Sequence, residues 1–127
     1  MGFDQYHEPP EELPAATRTF ARLCASLTEE AEAIGWYEQR IAVEKDPDAL
    51  AIMRDAQGEE FKHFAMDLEF LFRRRPEWAA IAKGILFQDG SITENAEGAE
   101  ENAGIDDPGP DTGPRLLVGS LGIGGLR

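Results

Sequence analysis

Two stretches of the chain carry apolar residues at helical spacing. In the first, Leu23, Leu27, Ile34, Tyr37 and Ile41 step by three, four or seven residues, which predicts one buried stripe of a helix reaching roughly to Glu44. In the second, Met53, Phe64 and Leu71 mark the inner face of a helix between Asp46 and about Arg74. Both stripes are interrupted by charge. Glu30 falls in the middle of the first, and Glu60 with His63 in the second. An unpaired carboxylate is not buried without cost, because stripping its water is expensive by several kcal/mol. Two helices that each turn a carboxylate inward need a common counter-charge, and a metal ion supplies one.

The punctuation supports this division. Pro9-Pro10 and Pro14 can open a helix but not sit inside one. Asp46-Pro47-Asp48 reads as a helix start, with Asp at the cap, Pro at the first helical position and an acid in the first turn. Arg73-Arg74-Arg75 sets positive charge at the negative end of the second helix, a simpler account of the run than a nucleic-acid patch. Gly35 is a weak point, worth about 1 kcal/mol against Ala, and a place for close approach of another helix. Pro76-Glu77-Trp78 opens a shorter third helix expected to end near Phe87, and Asp89-Gly90 is a turn signal. No strand pattern of any length is seen. The expectation is an all-α fold: an antiparallel two-helix hairpin plus a short third helix. The hairpin has a large apolar face and little to cover it, so it is expected to dimerise into a four-helix bundle.

Ligand counting leads to the same dimer. In dinuclear carboxylate bundles, two helices each give one Glu and two others each give Glu-x-x-His. This chain has one helix with an inward Glu30 and one with Glu60-x-x-His63, which is half a set. A two-fold dimer would complete it with Glu30, Glu60 and His63 from each copy. At i and i+3, Glu60 and His63 point to the same side of their helix. Carboxylates can bridge two ions and imidazole adds a nitrogen suited to iron, zinc or copper. The competing register turns Glu59 inward and Glu60 to solvent, and His63 could equally be a neutral core histidine. Asp67, one turn past His63, is a candidate to orient its free ring nitrogen. Tyr37 lies on the Glu30 face, either bonding a ligand carboxylate or packed as an ordinary core tyrosine. Glu29, Glu32 and Trp36 share the next stripe, which reads either as an acidic approach to the centre or as a solvated helix face.

Composition narrows the function further. The net charge is −13, from 25 acids and 12 bases over 127 residues. That balance gives no reason to bind nucleic acid or an anionic membrane, and it attracts cations. Cys24 has no internal partner and is expected as core filling. No apolar run approaches the roughly 18 residues of a membrane span. The first residues lack the pattern of a signal peptide, so a cytoplasmic protein is expected. Between Ser91 and Pro114 stand seven acids (Glu94, Glu97, Glu100, Glu101, Asp106, Asp107 and Asp111) and no base. Residues 91–115, rich also in Gly, Pro, Asn and Ala, are therefore expected to be a disordered, extended acidic linker. Beyond it, Leu116, Leu117, Val118, Leu121, Ile123 and Leu126 are set among glycines. The glycines oppose a helix, and the alternation suits an extended peptide lying in a groove on a partner. The domain plan is thus 1–90 helical, 91–115 linker and 116–127 docking peptide.

Leu27-Thr-Glu-Glu-Ala-Glu-Ala-Ile-Gly-Trp-Tyr-Glu-Gln-Arg40, Asp46-Pro47, Glu59-Glu60-Phe-Lys-His63 and the tail Val118-Gly-Ser-Leu-Gly-Ile-Gly-Gly-Leu126 together resemble the encapsulated ferritin family, the ferritin-like cargo of encapsulin nanocompartments. The resemblance implies a ferroxidase that oxidises iron(II) to iron(III) at a di-iron centre shared by two subunits. It gives Glu30, Glu60 and His63 the ligand roles and sets Tyr37 beside the centre. Glu29, Glu32 and Trp36 match the region where metal approaches, a place for calcium or other divalent ions. It further implies a ring of five dimers, two irons per dimer, and an encapsulin shell that receives the terminal peptide and encloses the mineral for iron storage. The alternatives are a peroxide-consuming di-iron protein and a non-catalytic metal-binding cargo adaptor.

Overall fold

The computed structural model describes residues 6–104. Its regular elements are helices: a short 3-10 turn at Pro10–Glu12, then α1 (Ala15–Val43), α2 (Pro47–Arg74), α3 (Pro76–Lys83) and α4 (Ile92–Asn102). Among the described residues there is no strand. The described chain divides into two compact units, one up to Arg74 and one from Arg75.

The first unit is the α1–α2 hairpin. Proline decides where α1 begins. Pro10 opens the 3-10 turn, and Pro14 caps α1 from outside its first turn. The Arg18 guanidinium reaches back to donate to the Leu13 carbonyl and to that of Pro10, which also accepts from the Leu13 N–H, and so ties the entry turn to α1. At the other end the chain turns within three residues. The Asp46 carboxylate accepts from the Ala49 N–H at 3.0 Å, the cap that its position before Pro47 suggested. Pairings across the hairpin show that the helices run antiparallel. Gln57 on α2 donates to the Ile34 carbonyl at 3.2 Å and to Glu38 Oε1 at 2.9 Å, while Glu30 lies opposite Glu60. As positions on α1 fall, their partners on α2 rise.

Leu23, Leu27, Glu30, Ile34, Tyr37 and Ile41 are all half-buried, as are Met53, Glu60 and Phe64 opposite. The apolar stripes therefore face each other, but two helices cannot enclose a core. Among the described residues only Leu71 and Ala99 are buried. Cys24, expected inside, is exposed, because it stands one residue off the Leu23 stripe. Gly35 meets no neighbouring atom of this chain within 4 Å of where a side chain would start, so α2 is not the helix that approaches it closely. The Arg run ends α2 as ordinary surface: Arg73 pairs with Glu69 at 2.7 Å and Arg74 lies 4.0 Å over the Phe70 ring.

The second unit pairs α3 with α4. Helix α3 stops at Lys83, one turn short of Phe87, and Gly90 makes the turn with φ of 96°. Helix α4 corrects the expectation of a disordered linker from residue 91. Ser91 caps it, its hydroxyl accepting from the Glu94 N–H, and the Ala and Glu residues that follow are good helix formers. Ala99 presses against Gly84, where an added Cβ would come within 2.5 Å of the Ala99 Cβ. The rest of the expected linker, from residue 105, and the expected docking peptide 116–127 lie outside the described residues.

Candidate metal centre

The inward carboxylates come together. Donor atoms of Glu30 from α1, and of Glu60 and His63 from α2, all lie within 4.8 Å of one another. Register on α2 decides this. Glu60 is half-buried and faces α1, whereas Glu59 points outward and pairs with Lys62 at 2.9 Å. That pairing lowers the Glu59 pKa and raises that of Lys62. Helical spacing explains the choice: Glu60 is seven residues past Met53 and four before Phe64, on the apolar stripe, and Glu59 is one step off it. His63 is exposed on the hairpin, at the margin of the same stripe.

The electrostatics of the cluster are unfavourable without a cation. The Glu30 carboxyl is pushed up to about 7, first by loss of water, then by the Asp67 side chain beside it, and then by the charges of Glu60 and Glu29. Glu30 Oε1 and Asp67 Oδ2 are both shielded from solvent, and neither has a hydrogen-bond partner. Two carboxylates offer only acceptors to each other, so a shared proton or a cation is what would satisfy them. A Glu/Glu/His set with an orphaned buried oxygen suits a divalent transition metal: hard oxygen donors, one borderline nitrogen, and no thiolate.

The other candidates separate from this cluster. Asp67, expected as a partner for the His63 ring, turns to Glu30 instead and makes no hydrogen bond to His63. Tyr37 is half-buried on the Glu30 stripe, with the Arg40 guanidinium 5.0 Å from its ring centre. No hydrogen bond joins Tyr37 to a pocket carboxylate among the described residues. Glu29, Glu32 and Trp36 are all exposed, on a stripe outside the donor set. Gln57 is the contact that periodicity missed. An amide on an apolar stripe is a signal of a cross-helix tie, since it needs partners there.

A helical hairpin with facing Glu and Glu-x-x-His is the arrangement of a ferritin-like carboxylate protein. The chain matches the EncFtn-like family over residues 5–89 and belongs to it, the encapsulated ferritins. It is 43% identical to a ferritin-like protein of Thermotoga maritima over 114 residues, covering 90% of this chain and 98% of that one. It is 41% identical over 123 residues to an encapsulated ferritin-like protein of Rhodospirillum rubrum, covering 95% and 86% respectively. Among solved structures, a Nitrosomonas europaea protein known from a crystal structure superposes with a TM-score of 0.67 at 39% identity, over 70% of this chain and 99% of that one.

Proposed function

We propose that this chain is a ferroxidase that works as a dimer inside an encapsulin shell. The observation that carries the reading is the convergence of Glu30, Glu60 and His63 within 4.8 Å on facing helices. Three donors cannot fill the coordination of an iron ion, still less of two. A second copy related by a two-fold axis would bring three more. The exposure of His63 fits that plan. It stands on one side of α2 with Ile52 three turns before it and Met66 one turn after, and these two are 70% and 60% exposed. A ligand left in solvent among apolar side chains is what half of an interface looks like.

In this reading iron(II) is the substrate. Glu30 and Glu60 supply anionic oxygen that favours the higher oxidation state, and His63 fixes the ion by its nitrogen. Two iron(II) ions lose one electron each. Together with two protons, the two electrons reduce one dioxygen to hydrogen peroxide, or one peroxide to two waters. Tyr37 adjoins the pocket, and Glu29, Glu32 and Trp36 form the outer approach, where divalent ions such as calcium could rest. The ring of five dimers and the docking of residues 116–127 on the shell belong to the same proposal. They are supported by membership of the encapsulated ferritins, by the likeness to the encapsulated ferritin-like protein of Rhodospirillum rubrum and by the pattern of the tail.

The test is anaerobic loading with iron(II) followed by air. Rapid growth of iron(III) absorbance is expected, with at least a tenfold loss of initial rate in Glu30→Ala and in His63→Ala. Rates equal to the unaltered chain would remove the site. In the same assay, a chain lacking Val118 to Arg127 keeps its rate but no longer co-purifies with a shell protein.

A further inference from the structure

The three-residue donor set leaves one half-buried carboxylate, Asp67, unexplained. Asp67 is half-buried on α2, four residues past His63 and seven past Glu60, so the three share a stripe of that helix. Its Oδ2 is shut off from solvent and takes no hydrogen bond, and Glu30 Oε1 on the facing helix is in the same condition. Neither atom accepts a hydrogen bond from any donor among the described residues. A carboxylate in that state costs free energy on every folding event unless something cationic arrives to offset it. An aspartate kept for packing alone would serve better as asparagine or leucine. Its stem is short, and its position between Phe64 and Leu71 on the inner stripe is one that an apolar residue fills well.

We propose that Asp67 is a fourth metal-binding side chain of this pocket, sharing with Glu30 the cation that enters it. The inference rests on the metal-binding reading of Glu30, Glu60 and His63 and extends it. Each chain then brings three carboxylates and one imidazole. Glu30 then has Asp67, as well as Glu60 and His63, as neighbours on α2 with which to share a cation. The added carboxylate raises the anionic charge met by the ion and tilts the donor set further toward hard, higher-charged metals.

The experiment is calorimetric titration of the full-length protein with cobalt(II) alone, under nitrogen, paired with thermal unfolding of the metal-free chain. Asp67→Asn is expected to weaken cobalt binding about tenfold or more. In the metal-free chain at pH 8 the same substitution is expected to raise the unfolding midpoint, because a carboxylate repulsion has been removed. A residue with a merely structural role would not move the two readouts in opposite directions. Asp67→Ser is measured beside it, and if both variants are destabilised as metal-free chains the proposal is overturned. Binding within twofold of the unaltered chain in both variants overturns it as well. Glu60→Ala separates this from the underlying site. If Glu60→Ala loses cobalt and Asp67→Asn keeps it, only the role of Asp67 falls. If Glu60→Ala binds normally, the site itself is withdrawn.

Discussion

Glu30 concentrates the chemistry of the hairpin into one side chain. Its carboxyl pKa of about 7 lies above the ordinary 4.5, so the folded metal-free chain holds this proton more tightly than the unfolded chain does. The sign follows directly. The contribution of this group to stability is fully present below pH 4.5, declines as pH rises from 4.5 to 7, and is constant above that. Replacing it by the uncharged amide in Glu30→Gln should erase that decline. The difference in unfolding midpoint between the unaltered metal-free protein and Glu30→Gln is therefore expected to turn against the unaltered protein as pH rises through this window. A difference independent of pH would contradict it. Metal binding runs the other way, since the ligand must lose its proton first, and affinity should fall as pH drops below 7. At this scale the sequence was informative because burial of a carboxylate is a conflict visible in periodicity alone. It was less so for Asp67, whose spacing from His63 suggested one partner while the facing helix provided another. Spacing along one helix carries no information on what stands across from it.

Among the helices, legibility followed the strength of the local stop and start signals. Asp46-Pro47 marked the start of α2 to the residue, and Arg73-Arg74-Arg75 marked its end. Helix α4 was hidden by its composition, since acids, alanines and glycines read as an extended chain. The available clue was Ser91 with Glu94 three residues on, half of a capping box. What holds α4 to α3 is a contact between small residues that no hydropathy pattern displays. Gly84 has an ordinary right-handed φ of −83°, so it is kept for space and not for backbone freedom. Gly84→Ala is expected to destabilise the α3–α4 unit by ~1–3 kcal/mol through overpacking against Ala99. Ala99→Gly in the same chain should recover most of that loss. Hydrogen exchange of the α4 amides is the measurement. Metal binding by the α1–α2 hairpin, in which all three donors reside, should not change.

At the level of the whole molecule, the hairpin is conspicuous for what it leaves in water. Trp36, Ile52, Phe61 and Met66 are 55%, 70%, 58% and 60% exposed. Apolar periodicity predicted which faces of α1 and α2 meet, but a single chain's pattern does not distinguish a face covered by itself from one covered by its copy. Met66→Asp tests the proposed pairing. It places a charge one turn from His63 and is expected to shift the mass seen by light scattering toward the single chain, lowering bound metal per chain in step. An unchanged mass would break the link between pairing and the centre. The exposed histidine has a consequence for the cell. A freshly synthesised, solitary chain offers an accessible imidazole beside two carboxylates, and copper and zinc outrank iron(II) for such donors. Mismetallation is thus a hazard of dilution. In the proposed dimer, rapid partnering would guard the pocket against the wrong element, and iron oxidation per molecule is expected to drop steeply when expression is low.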